Sequence, residues 1–302
     1  MKKVIVITGV TGSGKSEIAI DIAHKINGEI INADSVSIYK HLDIGSAKIM
    51  KDEMNGIPHY LHDQLELSEK FDVATFQKQA RNKIEEIHNK GKIPIIVGGS
   101  GLYINAVVYD YQFPKVELKP LPKGLSNKTM WETLNKIDPD TAAKTHVNNT
   151  KRLERALQVA LTFGKKQKEI NGNMKNKPVY DSIILFLSGE RSYLYQRIDQ
   201  RVDQMFEQGL VDEVKLLHTH DENFFDYQST NAIGYREFKE YFLGNRSLEE
   251  VKELIKRNTR RFAKRQETWF RNQTDGLVIN IDKDGYKNEV NDKIEEFLKR
   301  TN

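Results

Sequence analysis

The sequence predicts an α/β protein: a parallel sheet covered by helices on both faces, carrying a mostly helical insertion. Three observations predict it. Short β-branched runs alternate with stretches whose apolar residues recur at helical spacing, the pattern of strands joined by crossover helices. A glycine-rich loop follows the first of these runs directly. In the middle of the chain a segment rich in proline and lysine, followed by several helical stretches, interrupts the alternation.

Val4 to Ile7 is the first buried strand. Beyond it Ile18, Ala19, Ile22, Ala23 and Ile26 lie on one helical face, and Gly28 is the expected stop. Residues 29–33 read as a second strand that runs into Asp34, and residues 35–70 read as irregular. Asp72 suits a helix N-cap, with Val73, Phe76, Ala80, Ile84 and Ile87 on one face and Gly91 at the end. Residues 93–97 form a third strand, which runs into Gly98-Gly99-Ser100-Gly101. The expected insertion covers residues 111–178, between core segments 1–110 and 179–302. Within it, 111–124 reads as a loop holding Pro114, Pro120 and Pro122. Residues 129–137, 139–144 and 151–162 read as helices, and 164–178 as a polar, lysine-rich, flexible stretch. The core resumes with a strand at 183–187. Helices are expected at 193–207, 211–218, 233–243 and 248–271, then a strand at 276–281 and a helix at 288–299.

The chain has 302 residues, 38% hydrophobic and 30% charged, the composition of a soluble globular protein. It has no cysteine, which excludes disulfides, cysteine-ligated zinc and thiol catalysis. The apolar run at the start stops at Thr8-Gly9, so it reads as a strand and not as a signal peptide. No run reaches the roughly 20 apolar residues of a membrane span. The formal charge of +4 permits a nucleic-acid partner without requiring one.

Gly9-Val10-Thr11-Gly12-Ser13-Gly14-Lys15-Ser16 fits the pattern G-x-x-x-x-G-K-S/T, with a strand before it and an amphipathic helix after it. Glycines let backbone N–H groups turn inward around phosphate oxygens, and the helix N-terminus favours negative charge. Lys15 supplies a cation and Ser16 a hydroxyl for Mg²⁺. The core is therefore P-loop NTPase-like. The loop specifies phosphate, not ATP hydrolysis. A hydrolase or kinase adds a strand ending in a magnesium-binding Asp, whereas the strand at 93–97 ends in glycines. Asp34, past the second strand, stands at the edge where ligands bind in open parallel sheets. On the pattern alone, a cap or turn residue is an equal reading of Asp34.

Further segments carry a resemblance. Asp34-Ser35-x-x-x-Tyr39, Leu42 to Lys48 (LDIGSAK), Pro58-His59-Tyr60 and Val97 to Tyr103 (VGGSGLY) follow the phosphate loop in order. Arg152 to Leu157 (RLERAL), Ile233 to Glu237 (IGYRE) and Ala263 to Arg271 (AKRQETWFR) come after them. This ordered set, spread over nearly the whole chain, resembles the tRNA dimethylallyltransferase family of bacterial type. The resemblance implies transfer of a dimethylallyl group from dimethylallyl diphosphate to N6 of adenosine 37 in tRNA. It implies Asp34 as general base, with Lys15 and Arg236 on the diphosphate and Thr11 and Ser16 lining the same site. Asp34, Ser35, Val36 and Ser37 match family contacts to the target base, with Ser37 where the family often has Gln. Ser100 matches a Thr that touches the tRNA. The insertion is short for the family. Mg²⁺ is the implied cofactor, tRNA the partner, and a cytoplasmic monomer the expected form.

Arg257, Arg260, Arg261, Lys264 and Arg265 recur at spacings of three and four, a cationic stripe on one helix face, with Arg271 beyond. Taken alone it is a solvated face or a track for a nucleic-acid backbone. With the resemblance, Arg261, Lys264 and Arg265 become expected tRNA contacts, as do Arg152 and Arg155. Three other readings stay open: prenylation of free adenine nucleotides, a P-loop small-molecule kinase, and a non-catalytic RNA-binding protein.

Overall fold

A computed structural model describes residues 1–113, 118–122, 124–163 and 177–300. The expected lysine-rich stretch lies, at 164–176, outside the described residues. Six strands form one parallel sheet: β1 (Lys3–Gly9), β2 (Gly28–Asn32), β3 (His59–Tyr60), β4 (Ile93–Gly98), β5 (Asp181–Ser188) and β6 (Leu277–Asn280). Their order is β3-β2-β4-β1-β5-β6. β1 is central, with Ile5 opposite Ile95 on one side and Ile183 on the other. Its residues Val4 to Ile7 are wholly buried, because a parallel sheet is covered on both faces.

The covering helices present the apolar faces their spacing predicts. α1 (Lys15–Ile26) buries Ile18, Ala19, Ile22 and Ala23, and α2 (Val73–Asn89) buries Phe76, Ala80, Ile84 and Ile87. The Asp72 side chain accepts from the Thr75 N–H and caps α2. α3 (Gly101–Val108) completes the first half.

The chain divides into two compact units, Met1–Val108 with Pro178–Asn302, and Tyr109–Lys177. The second unit is built on α4 (Asn127–Ile137), α5 (Pro139–Ala143) and α6 (Thr150–Phe163). Met130, Leu134, Leu153, Ala156 and Leu157 form its core. Trp131 packs against that core and donates its ring N–H to the carbonyls of Ala142 and Thr145.

The larger unit continues with α7 (Arg191–Glu207), α8 (Leu210–His220), α9 (Lys239–Phe242), α10 (Leu248–Gln273) and α11 (Tyr286–Lys299). Ser247 and Glu250 form a capping box at the start of α10. No helix among the described residues is long and apolar enough to cross a membrane.

Three sequence expectations change. Asn27, with φ of 53°, ends α1, and Gly28 instead opens β2, where a side chain would collide with Ile95 and the Ile93 carbonyl. The irregular stretch contains β3, which pairs with β2. The helix expected at 233–243 is a turn, a 3₁₀ segment (Arg236–Phe238) and then the single turn of α9. Gly234, at φ 101°, breaks it by lying against the backbone of Gly45, and any Cβ at either glycine would collide.

Because all strands run one way, β1, β2 and β4 deliver the phosphate loop, Asp34 and the Gly98 turn to the same edge. Glu29 stands at the opposite end of β2. Its buried carboxylate accepts from Lys90, Lys92 and Tyr60. Burial works to raise this carboxyl, but the hydrogen bonds from Lys92, Lys90 and Tyr60 outweigh it and hold the pKa at about 2.

Candidate active site

The loop from Gly9 to Ser16 connects β1 to α1. Gly12 and Gly14 adopt φ of 80° and 81°, which lets the backbone curl at the N-terminus of α1. Thr11, Gly12, Gly14, Lys15 and Ser16 line a cavity of about 490 Å³. Gly9, Val10 and Ser13 do not line it; Val10 and Ser13 are buried beneath.

Three cations surround this cavity: Lys15 and, from one face of α7, Arg197 and Arg201. Each holds a backbone carbonyl: Lys15 Nζ donates to Val10 O (2.9 Å), Arg197 Nε to Gly12 O (2.8 Å) and Arg201 Nη2 to Ala47 O (3.1 Å). Among the described residues none of the three forms an ion pair with a carboxylate. Burial, then the charge of Arg201, pushes the Lys15 ammonium down to about 8, against the opposing pull of Asp34. Burial also lowers the pKa of Arg201; Asp34 opposes this and Arg197 adds to it. Positive charge is therefore held here at a cost that an anionic ligand would relieve. Asp199, between the two arginines in sequence, pairs instead with Arg260 of α10.

Asp34 lines the same cavity, opposite these cations in charge. Its Oδ1 accepts from the N–H groups of Val36 (2.8 Å) and Ser37 (3.4 Å), the local turn that sequence reading weighed as the alternative. The turn engages only Oδ1, so it is compatible with a second role for this carboxylate at the cavity. Ser37, His59 and His62 also line this cavity. Burial lowers both imidazoles below their ordinary value.

A second cavity, of about 310 Å³, shares Thr11, Asp34, Ser46, Arg201 and Phe262 with the first. Ser35, Val36, Ser100, Arg236 and Arg265 line it. Lys15 and Arg236 are thus not brought to one cavity, although Arg201 reaches both. The Arg236 guanidinium is held by the Glu237 carboxylate (3.0 Å) and the Asn231 carbonyl (3.4 Å).

Two sequence segments without evident chemistry prove to be one joint. Glu213 of α8 accepts from the N–H groups of Asp43, Ile44 and Gly45 and from the Tyr235 hydroxyl. Burial, with Glu213 beside it, raises the Tyr235 phenol well above its usual range. The loop bearing Ser46 and Ala47, which walls the first cavity, is thereby fixed to the segment bearing Arg236.

The cationic stripe of α10 is partly neutralised. Arg260 pairs with Asp199 and Arg271 with Glu267. Arg257, Arg261, Lys264 and Arg265 are exposed, and Arg265 sits over the Phe262 ring. In the second unit, Arg152 and Arg155 are exposed on α6, on the face away from Leu153 and Ala156.

Sequence reading missed Arg197, Arg201, Glu213 and Gln266. The four-residue spacing of the two arginines, just after a strand, was a signal for the first pair. Glu213 and Gln266 were not singled out, because the backbone groups they hold lie more than 160 residues away.

The IPP transferase family matches residues 37–273. Curated relatives called tRNA dimethylallyltransferase include one from Bacillus cytotoxicus, 45% identical over 91% of this chain and 89% of its own. One from Anoxybacillus flavithermus is 47% identical over 90% of this chain and 88% of its own. Among solved structures, a tRNA isopentenylpyrophosphate transferase from Bacillus halodurans superposes with a TM-score of 0.76 at 38% identity, covering 99% of this chain and 97% of that one. A eukaryotic dimethylallyltransferase acting on tRNA gives 0.84 at 32% identity, covering 98% and 80%. On the span of the family match and the identity of relatives aligned over nearly their full length, this chain belongs to the IPP transferase family.

Proposed function

We propose that the protein transfers a dimethylallyl group from dimethylallyl diphosphate to N6 of adenosine 37 in tRNA. One observation carries the reading: three cations with no carboxylate partner among the described residues surround a phosphate loop, and the Asp34 carboxylate faces the same space. Such an arrangement suits a diphosphate that arrives and leaves as an anion better than a phosphoryl group in transit.

In this reading N6 of the adenine attacks the allylic carbon, and the carbon–oxygen bond to the diphosphate breaks. The electron pair goes to the departing diphosphate. Lys15, Arg197, Arg201 and the loop N–H groups stabilise that charge as it develops. Thr11 stands at the wall common to both cavities. The N6 proton passes to Asp34, whose help is worth roughly 10²–10⁴-fold. The second cavity receives the adenine, drawn out of its stack, between Ser35, Val36 and Ser100. Ser37 lies on the diphosphate side instead. Arg201 takes the diphosphate role that the resemblance gave to Arg236, and Arg236 joins the wall of the base cavity.

Mg²⁺ fits the loop as a partner of the diphosphate. Among the described residues no cluster of carboxylates or histidines would hold a metal unaided. Ser16 is exposed at the cavity, and Mg²⁺ characteristically takes one protein oxygen with phosphate oxygens and water. When bound there it would add further neutralisation of the leaving diphosphate. Exposed Arg261, Lys264, Arg265, Arg152 and Arg155 are the proposed tRNA backbone contacts, with a cytoplasmic monomer as the working form.

The test is direct. The protein is incubated with unmodified tRNA, dimethylallyl diphosphate and Mg²⁺, and the digested RNA is weighed by mass spectrometry. One adenosine beside the anticodon gains a dimethylallyl group. An unchanged RNA, with ATP consumed on a small acceptor, would return the loop to a kinase.

A further inference from the structure

Gln266 lies on α10, one helical turn or less from Lys264 and Arg265, but it points inward and is 6% exposed. Its side-chain amide makes two bonds in opposite senses. Oε1 accepts from the Thr11 N–H (2.9 Å), and Nε2 donates to the Gly99 carbonyl (3.0 Å). The first partner belongs to the phosphate loop. The second belongs to the turn that carries Ser100 into the second cavity. The fit leaves no room for a side chain at residue 99. Three residues on, Trp269 lies against Gly101 of the same turn with equally little room.

We propose that Gln266 is a positioning residue that sets the distance between the two halves of the reaction. Thr11 stands for the diphosphate half and Ser100 for the acceptor half, and one amide joins their backbones. This rests on the function proposed above. Only an uncharged amide serves both bonds: a carboxylate would repel the Gly99 carbonyl, and an apolar chain would leave both groups unpaired. The Thr11 N–H is also removed from the set that can meet phosphate, as is the Ser13 N–H, which donates to the Val10 carbonyl (3.2 Å), so the cradle is left to the other N–H groups of the loop. Reacting atoms must meet within a fraction of an ångström, and although Gln266 borders the first cavity, both ends of its amide are engaged by backbone groups and not turned to a ligand. A loss of the tie therefore falls on turnover and not on affinity.

Gln266→Met keeps the volume and removes both hydrogen bonds, and Gln266→Glu keeps the acceptor alone. With wild type transferring in the same assay, both variants are expected to stay folded, with KM for each substrate near wild type. Their kcat should drop on the order of 10- to 100-fold, as misplacement of about 1 Å does. A Gln266→Met enzyme with wild-type kcat overturns the proposal, as does a loss confined to KM. If wild type transfers nothing, the proposed function fails by itself. The tie is then judged by amide exchange at Thr11: faster exchange in Gln266→Met supports it, and unchanged exchange overturns it.

Discussion

The two ends of β2 carry carboxylates treated in opposite ways. At the start of the strand, Glu29 is buried and accepts from two lysines and a tyrosine, so its charge is matched. Just past the strand's end, Asp34 uses one oxygen for a backbone turn, and the cations nearest to it in charge hold carbonyls instead. The first arrangement is finished in the folded protein. The second is left incomplete, and a ligand completes it. Matched charge marks a stabilising site and unmatched charge of one sign marks a binding site, even within one strand.

The largest test of that contrast is Asp34→Asn. It keeps the shape and the turn and removes the proton acceptor, so kcat should fall by roughly 10²–10⁴-fold while tRNA affinity in a filter-binding assay holds. A collapse of binding instead would make Asp34 a recognition residue. Next comes Arg201→Met, which takes one cation from the incomplete end. The expected loss in kcat/KM for dimethylallyl diphosphate is on the order of 10²-fold, measured in steady state.

Glu29→Gln probes the finished end and should leave kcat untouched. Unfolding by urea should show a loss of about 1–3 kcal/mol at neutral pH. The Glu29 carboxyl is held at about 2 against an ordinary 4.5. Its contribution is therefore full above the higher value and disappears as pH falls through the lower one. Wild type and variant should converge in stability near that acid limit, and a gap that persists there breaks the assignment. The smallest effect expected is that of pH on the free enzyme. Lys15 loses its proton at about 8, so kcat/KM for the diphosphate should decline as pH rises through that value. A flat profile across that range would show that the ammonium is not what meets the diphosphate.

Much of the sheet and the phosphate loop was legible because their signals are local. The runs at Val4 and Ile93, the glycines of the loop and the helical face of Phe76, Ala80 and Ile84 each need only neighbouring residues to be read. The segment at 233–243 was misread as a helix because its breaker is the distant backbone of Gly45. The stripe on α10 was overcounted for the same reason, since Arg260 faces Asp199 across 61 residues. Asp34 was visible from its place after a strand, and the resemblance gave it a role. Arg197 and Arg201 needed knowledge of which face of α7 meets the loop, and only packing decides that.

The bond between Thr11 and Gln266 also has a consequence in time. The two residues are 255 apart in sequence. A ribosome adding about 5–20 residues per second needs roughly 13–50 s to make that stretch. The phosphate loop is thus made well before Gln266 and waits for that support. The central strand waits too, since its second neighbour begins only at Asp181. A nascent chain stalled anywhere before Gln266 has a complete phosphate-loop sequence without its tie to the Gly99 turn, so the loop takes its final setting only once α10 has been made.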